Sequence, residues 1–146
     1  MKIINVLLAD DHQILRQGLR SLLQLEADIQ IVCEAENGRQ AVAMAKECQP
    51  DVLLLDIAMP QLNGLETARQ ILQAKPQSRI LLLSAHSDIA YFDKAMEIGV
   101  AGFLIKQTSV NMLAQAIRTV AQGKVFFHPS FSKQLDGTRE VGPHES

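Results

Sequence analysis

The chain has 146 residues, a formal net charge of -2, 47% hydrophobic residues and 21% charged residues. This length suits one domain with its own core, and the slightly acidic balance gives no basic field to hold a nucleic-acid backbone. No run approaches the roughly 20 apolar residues of a membrane span, and the N-terminus lacks a cleavage-site pattern, which favours a cytoplasmic protein.

Short apolar runs alternate with amphipathic stretches, an order typical of βαβ units around a parallel sheet. We therefore predict an α/β fold, a (βα)5 doubly wound parallel sheet of the flavodoxin-like kind with strand order 2-1-3-4-5. Apolar spacings of three and four predict a helix after each strand, and Asp88 and Ser109 suit helix N-caps. The candidate strands are residues 3–9, 29–35, 51–56, 79–84 and 102–106, and the apolar face of the first helix is Leu15, Leu19, Leu22 and Leu23.

The two cysteines and the C-terminal residues are interpreted separately. Cys33 and Cys48 match no metal-site spacing, so we expect two buried, reduced thiols. From Lys124 onward the alternation fails, and Phe126-Phe127 is expected to cover the core near the last helix. The polar residues that follow have the composition of a linker, so we divide the chain into a domain of residues 1–123 and a C-terminal extension of residues 124–146.

Polar residues end four of the predicted strands. They are Asp10-Asp11, Asp56, Ser84 and Lys106. Ligands of doubly wound sheets bind beyond the carboxyl ends of the strands, where three crowded carboxylates would repel unless a cation such as Mg²⁺ compensated them. Each aspartate alone reads as a turn former or helix cap. Together with a hydroxyl and an ammonium, the set favours a phosphoryl site in which Asp56 is the nucleophile.

At these motifs the sequence resembles a response-regulator receiver domain of a two-component system, over residues 3–123. The likeness is carried by Asp10-Asp11, DIAMPQLNGLE around Asp56, Ser84-Ala85 and GFLIK at 102–106. The resemblance implies that Asp56 accepts a phosphoryl group from the phosphohistidine of a sensor histidine kinase. It also implies that Asp11 and Asp56 ligate Mg²⁺ directly, Asp10 mostly through water and Ala58 through its carbonyl.

The resemblance further assigns a phosphate-holding and switching role. Ser84 and Lys106 would hold phosphoryl oxygens, and on phosphorylation Ser84 would move toward the phosphate while Phe103 turned inward. Gln107 stands where many receivers have a cis proline, so we expect a trans bond and a looser loop there. Ala58 cannot position an attacking water, which predicts a slow, His86-dependent loss of phosphate.

The stretch AGFLIKQTSVNMLAQAIRTVAQGKVFFHP resembles the end of a receiver whose output is a LuxR-type helix-turn-helix. The output domain of that subfamily is missing from this chain, and we expect a receiver cut from a longer transcriptional regulator. The implied partners are a cognate sensor kinase, a second copy on phosphorylation, and DNA only through the missing domain. No membrane partner is implied, and we expect a signalling protein rather than an enzyme.

Three other interpretations remain open at this point. A pseudo-receiver would use the same fold for docking without phosphorylation, against which the complete set of acidic, hydroxyl and ammonium groups weighs. A haloacid-dehalogenase-type phosphatase also uses an aspartate nucleophile and Mg²⁺, but its nucleophile opens an Asp-x-Asp motif on the first strand. A flavodoxin would need a phosphate loop after that strand, which ADDHQILRQG does not supply.

Overall fold

Strands and helices alternate along the chain in a computed structural model, which describes residues 2–85, 89–133 and 135. The strands are β1 Ile4–Ala9, β2 Ile29–Ala35, β3 Val52–Asp56, β4 Ile80–Ser84, β5 Gly102–Ile105 and β6 Phe126–Phe127. The helices are α1 Gln13–Leu23, α2 Gly38–Cys48, α3 Gly64–Ala74, α4 Ile89–Ile98 and α5 Val110–Ala121, followed by a short 3-10 helix, Pro129–Phe131. Within the described residues, no helix combines the length and apolar character that crossing a membrane requires.

The strands of the described residues pair in parallel and in the order β2-β1-β3-β4-β5-β6. This confirms the predicted flavodoxin-like order 2-1-3-4-5, and β6 adds a short strand beside β5. All residues of β3 and β4 are buried. Central strands that are covered on both faces need such continuous apolar runs, which is why a carboxylate at the end of β3 stands out.

Side chains that alternate along each strand fill two cores on opposite faces of the sheet. Leu53 and Leu55 belong to the core under α2, α3 and α4, which also contains Phe92. Leu54 faces the other way, into the core under α1 and α5 that contains Ile117. The helices thus cover both faces of the sheet, and they leave the carboxyl ends of the strands uncovered at one edge.

The helix-capping and helix-ending residues of α4 and α5 have the predicted roles where the structure describes them. Ser109 caps α5 by accepting a hydrogen bond from the backbone N–H of Met112 at 3.1 Å. Gly99 and Gly123 follow α4 and α5 with φ of +94° and +88°, a conformation that glycine adopts without strain. The proposed cap Asp88 lies outside the described residues.

The apolar face predicted for α1 is partly wrong. The structure buries Arg16 and Leu23 on this helix, whereas Leu15 and Leu22 are exposed. Leu19 packs at the margin of the core under α1 and α5. A charged side chain therefore takes an inward position of α1, where it contacts the carbonyl of Asp10 and the carboxylate of Glu34.

The prediction of two reduced thiols is also wrong in this structure. Cys33 on β2 and Cys48 at the end of α2 are joined by a disulfide. The helix runs back along the strand that precedes it, so its last turn lies beside β2 and the two Cα atoms are 6.8 Å apart. A sequence separation of 15 residues does not reveal this proximity, because it depends on how α2 packs.

The first part of the C-terminal extension is built onto the domain. The N–H of Phe126 donates to the carbonyl of Ala101 at 3.0 Å, and the N–H of His128 donates to the carbonyl of Phe103 at 2.9 Å. Phe126 and Phe127 are half-buried and pack against the two cores, as the sequence predicted. Residues 134 and 136–146, on which the rest of the linker prediction falls, lie outside the described residues.

Candidate functional site

Four strands deliver the predicted site residues to one edge of the sheet. Asp10 follows β1, Asp56 ends β3, Ser84 ends β4 and Lys106 follows β5. Because β1, β3, β4 and β5 are neighbours in that order, their carboxyl ends converge. The structure brings Asp10, Asp56 and Lys106 into direct contact there.

The acidic cluster consists of Asp10, Asp11, His12 and Asp56. One potential ligand atom from each of these residues lies within 4.8 Å of the others. Asp10 and Asp56 are buried, whereas Asp11 and His12 are exposed. Side chains from two strand ends thus surround a single small volume with one side open to solvent.

His12 belongs to this cluster although the sequence analysis did not include it. Its Nδ1 lies 3.1 Å from Oδ1 of Asp10 and 3.1 Å from Oδ1 of Asp11. Its backbone N–H donates to Asp10 Oδ1 at 2.8 Å, an Asx-type turn that fixes the direction of the Asp10 side chain. Its place directly after the acid pair was the only signal in the sequence.

Lys106 is the cation that the two buried carboxylates share. Its Nζ donates to Asp56 Oδ2 at 2.9 Å and lies 3.2 Å from Asp10 Oδ2. Asp10 Oδ2 is buried and accepts no hydrogen bond from any residue that the structure describes, so its contact with Lys106 is an ion pair without hydrogen-bond alignment. One ammonium therefore faces two carboxylates, and negative charge is in excess.

Burial and the neighbouring charges together shift the pKa values of Asp56 and Lys106. Burial raises the pKa of Asp56 above 3.8; the hydrogen bond from Lys106 opposes the rise, and the charge of Asp10 adds to it. Burial acts to lower the pKa of Lys106, but its hydrogen bond with Asp56 and the charges of Asp56 and Asp10 outweigh it, and the net pKa is raised. Lys106 is consequently an ammonium at neutral pH, and Asp56 is a more basic carboxylate than an exposed aspartate.

The loop after β3 closes tightly around Asp56. The N–H of Ala58 donates to Asp56 Oδ1 at 3.2 Å, and the N–H of Gly64 donates to the carbonyl of Ile57 at 2.8 Å. A Cβ atom on Gly64 would lie 2.4 Å from the carbonyl oxygen of Asp56. Only glycine lets α3 begin this close to the end of β3.

Ser84 and the loop after Lys106 complete the edge. Ser84 is buried at the end of β4, and its carbonyl accepts the N–H of Lys106 at 2.7 Å. Every peptide bond in the described part of the chain is trans, including the bond before Gln107, as predicted. His86 lies outside the described residues, so the slow, His86-dependent loss of phosphate stays a prediction.

Phe103 on β5 lies within an aromatic cluster made of Phe92, Phe103, Phe127 and Phe131. Its ring meets Phe92 edge-on at 5.6 Å and Phe131 edge-on at 5.1 Å between ring centres. Phe131 also stacks on Phe92 at 4.4 Å. Phe103 is 0% exposed, so the inward turn expected from the sequence has no exposed starting position in this structure.

The donor set of the acidic cluster fits Mg²⁺. This ion prefers carboxylate oxygens, commonly one or two of them together with water and phosphate oxygens. Asp10, Asp11 and Asp56 supply such oxygens, and the buried Oδ2 of Asp10 lacks a hydrogen bond from any described residue. His12 offers nitrogen, which Mg²⁺ does not favour, so we assign it to hold the two neighbouring carboxylates.

Comparison with known proteins identifies the family. Residues 6–118 match the response regulator receiver domain. This chain belongs to that family. The receiver is 36% identical over 132 residues to the transcriptional regulatory protein DegU of Brevibacillus brevis, a match that covers 90% of this chain and 56% of that protein. It is 35% identical over 126 residues to the response regulator protein VraR of Staphylococcus aureus, covering 86% of this chain and 60% of that protein.

Solved structures agree with this assignment. A two-component response regulator of the LuxR family from Aurantimonas sp. SI85-9A1 has a TM-score of 0.88 and 30% identity, covering 94% of this chain and 99% of that chain. The receiver is therefore of the LuxR type that the C-terminal motif suggested. It spans 56% and 60% of the two curated relatives, and its likeness to them concerns that part of their length.

Proposed function

We propose that this receiver accepts a phosphoryl group on Asp56 from the phosphohistidine of a sensor histidine kinase. The observation that supports it best is the buried carboxylate of Asp56 held 2.9 Å from the ammonium of Lys106 at the end of a central strand. A rigid strand keeps the nucleophile in place, and the lysine lies where a phosphoryl oxygen would need a positive charge.

In the proposed transfer, a carboxylate oxygen of Asp56 attacks phosphorus. An O–P bond forms as the P–N bond of phosphohistidine breaks, and the departing imidazole takes up a proton. Lys106 exchanges its bond with Asp56 for one with a phosphoryl oxygen, and the Ser84 hydroxyl donates to another. Bound Mg²⁺ would neutralise part of the phosphoryl charge.

The residues proposed to hold Mg²⁺ are Asp10, Asp11, Asp56 and the backbone carbonyl of Ala58. Two of these acids are buried and share a single ammonium, so an added cation would relieve their repulsion. The site is therefore expected to bind Mg²⁺ more weakly when Asp10 or Asp11 is replaced by asparagine.

The proposal is tested by the mass of the intact protein after incubation with Mg²⁺ and acetyl phosphate or a phosphoramidate. We expect a gain of one phosphoryl group, which is lost with EDTA or in Asp56→Ala. Asp51→Ala is the matched control, because Asp51 lies at the other end of β3 and hydrogen-bonds the N–H of Asn5.

Three outcomes would contradict the proposal. Modification that persists in Asp56→Ala would place the acceptor elsewhere, and a folded protein that gains no mass from either small donor or from a sensor kinase would be a docking module. Sustained turnover of p-nitrophenyl phosphate would instead indicate a phosphatase.

We also propose a switch in which phosphorylation moves Ser84 toward the phosphate and shifts the already buried ring of Phe103 within its aromatic cluster. Phe103 is enclosed by Phe92 and Phe131, and its carbonyl accepts the N–H of His128. A shift of this ring would disturb the packing of the C-terminal extension. A two-state element needs only a modest bias of this kind to change its populations.

We propose that the conformational change caused by phosphorylation is transmitted to the C-terminal extension. DegU is named a transcriptional regulatory protein, and this receiver corresponds to 56% of its length. We propose that the receiver serves a cytoplasmic regulator with a helix-turn-helix output domain after residues 124–146, and that phosphorylation promotes pairing of two copies. DNA binding would then depend on the output domain and not on the receiver.

A further inference from the structure

Arg16 is a buried cation that the proposed phosphoryl transfer does not use. It lies on α1, and its side chain is 10% exposed. A buried charge is costly unless charged and polar partners surround it, so its partners indicate why it is there. An amphipathic helix would ordinarily place such a residue on its solvent face.

The guanidinium of Arg16 connects the acid pair to the neighbouring strand. Nη1 donates to the backbone carbonyl of Asp10 at 2.5 Å, and Nε donates to Oε1 of Glu34 on β2 at 3.0 Å. Oε2 of Glu34 also pairs with Nη1 of Arg20 at 3.0 Å. Glu34 thus holds the guanidinium of Arg16 in line with the carbonyl of Asp10.

Hydrogen bonds hold the N–H, the carbonyl and the side chain of Asp10. The N–H of Asp10 donates to the carbonyl of Ala35 at 3.1 Å, its carbonyl accepts from Arg16, and its side chain accepts from the N–H of His12. The carbonyl of Asp10 belongs to the peptide that leads into Asp11. The orientation of that peptide determines where the Asp11 carboxylate points.

We infer that Arg16 is a positioning residue for Mg²⁺, with Glu34 as the group that orients it. This inference rests on the proposed Mg²⁺ site and extends it to side chains that touch neither the ion nor the phosphoryl group. Partners that orient metal ligands in this way typically contribute about 10- to 100-fold to metal affinity.

The test compares the Mg²⁺ dissociation constants of Arg16→Met and Arg20→Met, measured by isothermal titration calorimetry. Both variants lose one positive charge from α1 and one partner of Glu34, but Arg20 is half exposed, and among the described residues its guanidinium pairs with Glu34. We expect Arg16→Met to weaken Mg²⁺ binding about 10-fold or more, and Arg20→Met to change it less than about threefold. Equal weakening would show that only the charge matters and would overturn the inference.

A second pair of variants distinguishes loss of positioning from misfolding of the variant. Arg16→Lys keeps the charge beside Glu34 but cannot donate to Glu34 and to the carbonyl of Asp10 with the same planar geometry. We expect it to weaken Mg²⁺ binding more than Arg20→Lys does, in protein whose circular dichroism matches the wild type. Wild-type affinity in Arg16→Lys would contradict the positioning role.

A kinetic measurement separates this role from general stability. We expect the Mg²⁺ concentration for half-maximal modification by phosphoramidate to rise in Arg16→Lys, while the rate at saturating Mg²⁺ changes little. A fall in the saturated rate alone would contradict positioning of the ion. If the wild type binds no Mg²⁺ in the titration, the proposed metal site fails, which is distinct from failure of the Arg16 inference.

Discussion

At the scale of single residues, the proposed acceptor site is built at a cost to the stability of the fold. Asp56 is almost fully buried, and it shares the ammonium of Lys106 with Asp10. Desolvation and the neighbouring carboxylate both disfavour its charged form and raise its pKa. Without a bound cation, the folded state therefore carries a carboxylate that would be better solvated in the unfolded chain.

We predict that Asp56→Asn stabilises the receiver at neutral pH in the absence of Mg²⁺. Removing the desolvated charge should raise the free energy of unfolding by about 0.5–2 kcal/mol, the range common for stabilising substitutions. Calorimetric or chemical unfolding at pH 7 measures the difference. Asp51→Asn, at the other end of β3, should show no such gain.

The pH dependence of that difference has a definite sign. The pKa of Asp56 in the folded state lies above 3.8, the value expected for the unfolded chain. At pH values between these two pKa values, the folded state binds more protons than the unfolded state. The wild type therefore loses stability relative to Asp56→Asn as pH rises through this window. An advantage of the variant that persisted undiminished well below pH 3.8 would contradict this cause.

The individual site residues could be predicted from the sequence only where they stand at the end of a predicted strand. Asp56 and Lys106 follow apolar runs, so their type and place were visible in the sequence. Arg16 was not, because the leucines of α1 suggest a different inward face. Its buried guanidinium contacts the carbonyl of Asp10 and the carboxylate of Glu34. Contacts made by backbone atoms leave no signature in a pattern of apolar residues.

At the scale of elements, the β3–α3 connection ties Asp56, the proposed acceptor, to a helix. Gly64 is the first residue of α3, and its N–H donates to the carbonyl of Ile57 directly after Asp56. The close approach of α3 to the carbonyl of Asp56 leaves no room for a Cβ atom. The helix therefore begins against the backbone of Asp56 itself.

We predict that Gly64→Ala destabilises the receiver and slows phosphorylation. The added methyl group would meet backbone atoms, which cannot rotate away, so overpacking should cost about 1–3 kcal/mol. Gly18→Ala is the matched control, since a Cβ atom there meets nothing within 4 Å. Gly18 lies in the middle of α1, where alanine has a higher helix propensity than glycine. Urea unfolding and the intact-mass assay measure both effects, and wild-type behaviour of Gly64→Ala would refute the close approach.

The elements themselves were largely predictable, for a physical reason. Doubly buried strands need continuous apolar runs, so β1, β3 and β4 and their order followed from the sequence. The two-residue strand β6 did not, because it forms by hydrogen bonds to β5 and has no pattern of its own. The disulfide between Cys33 and Cys48 likewise depends on how α2 packs on β2.

At the scale of the whole molecule, the C-terminal extension and the proposed phosphoryl site are linked through β5. Lys106 directly follows β5, and Phe103 lies within the strand. Phe131, 1% exposed, lies against Phe103 and Phe92. Docking of the extension and the position of the Phe103 ring are therefore coupled, because each stabilises the other by aromatic packing.

We predict that Phe131→Ala releases the extension while the central sheet stays folded. The lost ring packing, about 3–5 kcal/mol for a buried phenylalanine, exceeds what a two-residue strand can offset. Amide hydrogen exchange should therefore accelerate at His128 and Phe126, whose N–H groups donate to β5 and to the residue before it. Val125→Ala, at a side chain 61% exposed in the same segment, should leave both protected.

Phosphorylation should act on the same hydrogen bonds if Phe103 moves as proposed. We expect Mg²⁺ with the phosphomimetic BeF₃⁻ to accelerate exchange at the N–H of His128 in the wild type, because the ring that supports Phe131 shifts and the carbonyl of Phe103 shifts with it. The amide of Leu53 in central strand β3, which donates to the carbonyl of Arg79, serves as the internal reference and should not change. Asp56→Ala should abolish the effect. An unchanged exchange rate at His128 in a receiver that demonstrably binds BeF₃⁻ would separate the switch from the extension, and the signal would then have to leave through α4 or α5 instead.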